Sequence, residues 1–317
     1  CERLEESYTE ARLPCGLHVL ICPKDRHTYH AAVSVGYGSM DRFSGGRTLP
    51  MGTAHFLEHK MFERDPDIYG GSDSFDDDFA AMGAESNAYT SHDRTVYYFS
   101  CTDRFPDALT ALLSMVSELY VTSESVACER DIIAEEIRMN ADDPWERCSA
   151  AARAALFGRH PIREEICGSL SSIRRITPAV LREAFDTFYR PDNMLLCIVG
   201  DVDPEEVRQI AENRLGNPQL PPVTRVRRWD EAMICKTSYT KITMDVAMPM
   251  FHLGFKCEPL PNGDKGVYGE IVGDLAAEAL FGESSTLYLK LYEEGIIDSS
   301  FGGGFETVDG MAMLTAF

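Results

Sequence analysis

His55-Phe56-Leu57-Glu58-His59 places two imidazoles and a carboxylate within five residues. In an α-helix, residues three and four apart are stacked neighbours, so His55, Glu58 and His59 would share one face. Two imidazoles so spaced can hold one metal ion, and the carboxylate beside them can hold a water. This is the inverted H-x-x-E-H arrangement, whose parts are two nitrogen ligands, a Lewis-acid Zn²⁺ and a general base, here Glu58.

A tetrahedral catalytic zinc takes three protein ligands and leaves one position for water. Glu129-Arg130-Asp131-Ile132-Ile133-Ala134-Glu135-Glu136-Ile137-Arg138-Met139 offers the third. Its Ile132, Ile133, Ile137 and Met139 have helical apolar spacing, with Ser123 and Ser125 upstream as caps. Glu129 and Glu136 are seven residues apart, two turns on the same face, so one of them can join His55 and His59. Glu135 points elsewhere and reads as solvent-facing. Cys128 is turned about 100° from Glu129 and reads as a non-ligand.

With these residues in view, the chain resembles the M16 metallopeptidases, the family of insulin-degrading enzyme, pitrilysin and the mitochondrial processing peptidase. Gly52 to Glu63 is similar to that family's zinc helix, and Glu129 to Glu136 to its distal helix. Met82-Gly83-Ala84, Asn87-Ala88-Tyr89-Thr90-Ser91 and Arg94 to Tyr98 resemble its substrate-receiving edge strand. His160-Pro161, Tyr189 to Met194 and Val199 to Val202 match further landmarks of its first domain, and the bacterial members of about 400 residues are most alike. The resemblance implies Glu136 as third zinc ligand, Glu58 as base, Glu129 as a supporting carboxylate of the catalytic site, and Asn87, Ala88, Tyr89 and Thr90 as the substrate strand.

The elements that must position these groups are legible as short strands at 17–22 and 31–36 and a motif helix at 53–63. A strand pair follows at 86–89 and 95–100, then helices at 105–120, 125–139, 145–156 and 178–189. A strand at 194–199 and a helix at 204–215 close this part. Gly216 to Pro222 is Pro/Gly-rich and reads as a linker. A long strand at 242–256, a helix at 265–280 and a strand at 311–316 restart the order. The expected fold class is α+β, with two homologous α/β-roll domains, each a mainly antiparallel sheet packed with helices, the second cut short. The divisions are a zinc-binding domain over 1–216, a linker over 217–230 and a partial second domain over 231–317.

Composition bounds the partners. The formal charge of −21 lacks the basic footprint of a nucleic-acid binder and favours cationic peptides. The acidic run Asp73 to Asp78 reads as a solvated loop or helix start, with substrate steering as the alternative. No run of 18 apolar residues suggests a membrane span. The ten cysteines are dispersed, form no C-x-x-C pair, and several lie in apolar runs, so a reducing cytoplasm is expected.

One stretch departs from the family pattern. Where relatives place an Arg, with a Tyr seven residues on, to hold the substrate carbonyl, Ser284 to Asp298 places Tyr292 and Asp298. Neither supplies a fixed cationic donor to an oxyanion. The expected function is a zinc endopeptidase that cleaves peptides by a zinc-activated water with Glu58 as base. The alternative is a non-hydrolytic assembly subunit retaining a structural zinc site. The expected partner is a related subunit that supplies the Arg and Tyr in a heterodimer, with a homodimer as second choice.

Overall fold

The computed structural model describes residues 6–44, 46–216, 223 and 230–317. Along the chain come β1 (Thr9–Arg12), β2 (His18–Pro23), β3 (Tyr29–Val35), the short pair β4 (Phe43–Ser44) and β5 (Arg47–Thr48), then α1 (Thr53–Lys60) and α2 (Phe75–Ala81). Next are β6 (Glu85–Thr90), β7 (Thr95–Cys101), α3 (Phe105–Ser117), α4 (Ser123–Asp142), α5 (Pro144–Leu156), α6 (Leu170–Ile173), α7 (Pro178–Phe188), β8 (Met194–Gly200) and α8 (Pro204–Leu215). The last are β9 (Leu253–Cys257), α9 (Asp264–Phe281), α10 (Thr286–Glu293), β10 (Gly303–Val308) and β11 (Met311–Ala316). Two compact units result, one of Cys1–Glu135 with Ile166–Val226 and one of Glu136–Glu165 with Arg227–Phe317. The division falls inside α4, which is itself one continuous helix.

The first unit is built on a six-stranded sheet in the order β1-β2-β8-β3-β7-β6. β2 and β8 are parallel and every other neighbouring pair is antiparallel. Burial alternates along β2 and β3, the mark of strands with one face on a core, and Val19, Ile21, Ala31, Val33 and Val35 point inward. Leu109, Leu112, Leu113 and Val116 of α3 are fully buried in this unit.

α1 belongs to this core rather than to the surface. Phe56, Leu57 and Met61 have no exposure. Burying each such side chain contributes about 1.5–3 kcal/mol, so the register that sets His55 and Glu58 is fixed by packing. The helix stops at Lys60, short of the predicted Glu63, and Phe62 turns to give its carbonyl to the Phe75 N–H. The acidic run is a helix start. Ser74 Oγ caps the Asp76 N–H, and Asp76, Asp77 and Asp78 fill the first turn, where the helix dipole favours negative charge.

The second unit carries a three-stranded antiparallel sheet, β10-β11-β9, with α5, α9 and α10. Leu156, Phe157, Ile162 and Met313 form its buried cluster. Glu231 accepts the N–H groups of Gly158, Arg159 and His160 and the ammonium of Lys256. Burial pushes the Glu231 carboxyl up, but those donors outweigh it and hold the group at about 2. His160 is buried, which pulls its imidazole down to about 4, and its Nδ1 accepts the Ile162 N–H.

The strand predicted over 242–256 is present only as Leu253–Cys257, paired with β11. Residues 242–252 have no regular structure: Val246, Met248 and Met250 are exposed, and Pro249 lacks the N–H a ladder needs. The segment 136–165, assigned by sequence to the first domain, groups with the second unit. Of the predicted linker, 217–222 and 224–229 lie outside the described residues. The architecture is α+β, with antiparallel-rich sheets packed by helices.

Candidate metal centre

α1 starts against the loop that holds Cys167 and Gly168. Gly52 precedes the helix at φ +86°, and a Cβ there would lie 2.4 Å from the Cys167 carbonyl oxygen. Gly168, at φ +78°, is equally constrained, since its Cβ would lie 2.7 Å from the Met51 carbonyl oxygen. Only glycine fits two such left-handed backbones in mutual contact.

One turn into α1, His55 is 8% exposed and Glu58 is 9% exposed. The His55 and His59 rings lie 4.7 Å apart, inclined at 62°. His59 Nδ1 is 2.8 Å from Glu129 Oε1. A carboxylate only accepts, so Nδ1 carries the proton and donates, which leaves the Nε2 lone pair for a metal. Glu129 is buried and Cys128 exposed, so the two neighbours lie on different sides of the helix.

Buried Val126 and Ile133 seat α4, and the Arg130 guanidinium donates to the carbonyls of Ile173 and Ile176. The helix carries Glu136 two turns beyond Glu129. His55, Glu136 and Cys167 each offer one ligand atom, all within 4.8 Å of one another. His59 stands beside this trio, engaged with Glu129. Glu135 is exposed.

Cys167 is the residue that the sequence reading missed. Its Sγ is 4.0 Å from His55 Nε2. They stand 112 positions apart, so no spacing rule joins the two; the only local sign is the glycine that follows.

Glu58 Oε2 accepts the hydroxyl of Thr90 at 2.5 Å. Thr90 ends β6, which pairs with β7 and forms one edge of the sheet. Asn87, Ala88 and Tyr89 run along that edge, where Asn87 Oδ1 accepts the Ala88 N–H at 2.8 Å. Behind Thr90, Thr95 donates to the Tyr37 carbonyl, and the hydroxyls of buried Tyr97 and Tyr189 are 2.5 Å apart. Burial first pushes both phenols above their ordinary range; Tyr189 and the Glu58 charge add to this for Tyr97, and for Tyr189 it outweighs the opposing Tyr97 hydrogen bond, so both stay neutral.

In the second unit, Tyr292 is 52% exposed on α10 and stacked on Tyr288. Asp298 accepts the Ser300 hydroxyl and N–H, which hold its carboxyl below the usual range. Among the described residues, no helix is long and apolar enough to cross a membrane.

The chain is similar to several known proteins. The profile for Insulinase (Peptidase family M16) matches residues 19–169, and that for the Peptidase M16 inactive domain matches residues 175–316. The uncharacterized zinc protease YmfH of Bacillus subtilis is 38% identical over 318 residues, covering 96% of this chain and 72% of that protein. The uncharacterized zinc protease Mb2805c of Mycobacterium bovis is 32% identical over 197 residues, 60% of this chain and 42% of its own. Among solved structures, a putative M16-like peptidase from Alicyclobacillus acidocaldarius has a TM-score of 0.91 at 32% identity, covering 98% of this chain and 74% of that one. A Helicobacter pylori protease shares the fold, with a TM-score of 0.80 at 19% identity over 98% of this chain and 74% of that chain. The chain belongs to the M16 peptidase family.

Proposed function

We propose that this chain is a zinc endopeptidase in which His55, His59 and Glu136 hold the ion and Glu58 is the general base. Two imidazoles and a carboxylate suit zinc, and the Glu129 carboxylate behind His59 is the usual support for a ligating imidazole. A bound zinc would supply Lewis acidity, drawing the pKa of a water toward about 7.

The observation that carries the reading is the 2.5 Å hydrogen bond from Thr90 to Glu58. It ties the base to the last residue of the edge strand, where a peptide adding to β6 would present its backbone. A purely structural zinc has closed coordination and no use for a base. Thr90 occupies Oε2 and orients the carboxylate, which leaves Oε1 to act on the attacking water. Glu58 takes the proton as the water oxygen bonds to the scissile carbonyl carbon, then returns it to the amine nitrogen as the C–N bond breaks. An incoming strand must displace the Asn87 side chain from the Ala88 N–H. The net charge of −21 favours cationic substrates.

Peptide cleavage by the purified chain should disappear on chelation and return on adding about one equivalent of zinc, a stoichiometry fixed by one donor set per chain. Cleavage that survives complete removal of metal would refute the proposal. Zinc retained without any cleavage would favour the assembly-subunit reading.

We also propose a partner of the same fold, because exposed Tyr292 and Asp298 offer no cation where relatives supply Arg and Tyr. One oxyanion donor is worth about 10²–10³ in kcat, and adding the partner should raise cleavage by that factor. A fully active monomer, established by light scattering alongside the assay, would refute it. A homodimer, the competing outcome, would be recognised by light scattering of the chain alone.

A further inference from the structure

We propose that Cys167 is a fourth protein donor to this centre, its thiolate filling the position that a catalytic site leaves open to water. The chain would then rest in a closed, latent form until the thiol is withdrawn. This inference depends on the zinc reading of the site.

Three observations carry it. Cys167 Sγ is 4.0 Å from His55 Nε2, and both lie with Glu136 in a group whose ligand atoms fall within 4.8 Å. With Zn–S about 2.3 Å and Zn–N about 2.0–2.1 Å, a sulfur and a nitrogen on one tetrahedral ion are about 3.5 Å apart. The thiol therefore sits about half an ångström from the coordinated arrangement.

The charges point the same way. A carboxylate and a thiolate repel at this separation unless a cation lies between them, so Glu136 opposes the alternative of a Cys167–His55 nucleophile pair and supports a metal.

The position is also built. Gly52 and Gly168 press the Cys167 backbone against the start of α1, and a Cβ on Gly52 would meet the Cys167 oxygen at 2.4 Å. The backbone is fixed, and rotation about χ1 alone moves the sulfur toward or away from the centre. On coordination the thiol proton leaves to solvent and a sulfur lone pair binds the metal; on withdrawal a water takes the place. No oxidant enters.

Cobalt(II) loading of the full chain tests this without reference to activity. Visible ligand-field bands report that the site is filled, and a near-ultraviolet sulfur-to-cobalt charge-transfer band reports a bound thiolate. The native chain should show both, and Cys167→Ser should keep the first and lose the second. A native spectrum without the charge-transfer band, or one unchanged by Cys167→Ser, overturns the inference. Ligand-field bands that persist in a His55→Ala, His59→Ala variant overturn the zinc reading instead.

On the unaltered chain, peptide mapping after iodoacetamide treatment should show loss of Cys167 alkylation when zinc is present. Equal labelling with and without zinc also overturns the proposal. Under it, Cys167→Ser hydrolyses faster than the native chain; a purely structural thiol would give no gain.

Discussion

Glu58→Gln should keep its zinc and lose about 10²–10⁴ in kcat, the usual contribution of general acid–base catalysis. The substitution is nearly isosteric, and the amide oxygen of Gln can still accept the Thr90 hydroxyl that now donates to Oε2. What it cannot do is take a proton at neutral pH. Metal affinity should hold because Glu58 lies outside both the group of His55, Glu136 and Cys167 and the His59–Glu129 pair. KM should change little, since the edge strand is untouched. The measurement is a steady-state peptide assay on protein of known zinc content. Native kcat in the zinc-replete variant would remove Glu58 from the chemistry; lost zinc would make it a ligand or a structural support.

Most of the elements around the site were legible because local rules govern them. The His55–His59 spacing, the β-rich runs of β2 and β3 and the seven-residue interval from Glu129 to Glu136 are short-range patterns, and the structure places all three on the predicted element types. Thr90 was readable as part of an edge strand, but its hydroxyl on Glu58 was not, because that contact spans 32 residues and depends on how β6 meets α1. Cys167 was lost for the same reason at greater distance. In sequence it is one of ten dispersed thiols, and only the interlocked Gly52 and Gly168 bring it to His55. The segment 242–252 failed differently. Its apolar content imitates a strand, yet a strand needs a neighbour for its hydrogen bonds, and composition does not say whether one is there.

The last expected result is a graded loss of zinc along the chain of groups His55, His59 and Glu129. Glu129→Gln should weaken zinc binding by about 10–100-fold, the cost of removing the carboxylate behind a ligating imidazole. Gln still reaches His59 Nδ1 with its amide oxygen, so the tautomer survives while the negative charge that makes the ring more basic is gone. Glu129→Ala should fall at the weak end of that range, since the ring then loses its anchor as well. His55→Ala with His59→Ala should abolish stoichiometric binding, because a single carboxylate and a thiol from distant segments cannot preorganise a site. Hydrolysis should fall to background with the metal. α1 should remain folded in every variant, since Phe56, Leu57 and Met61 rather than the imidazoles fill the core around it, and circular dichroism checks this. Equilibrium dialysis with elemental analysis measures the affinities. If Glu129→Gln bound zinc as tightly as the native chain, His59 would not be a ligand held from behind, and full occupancy in the double His variant would move the metal site away from α1 altogether.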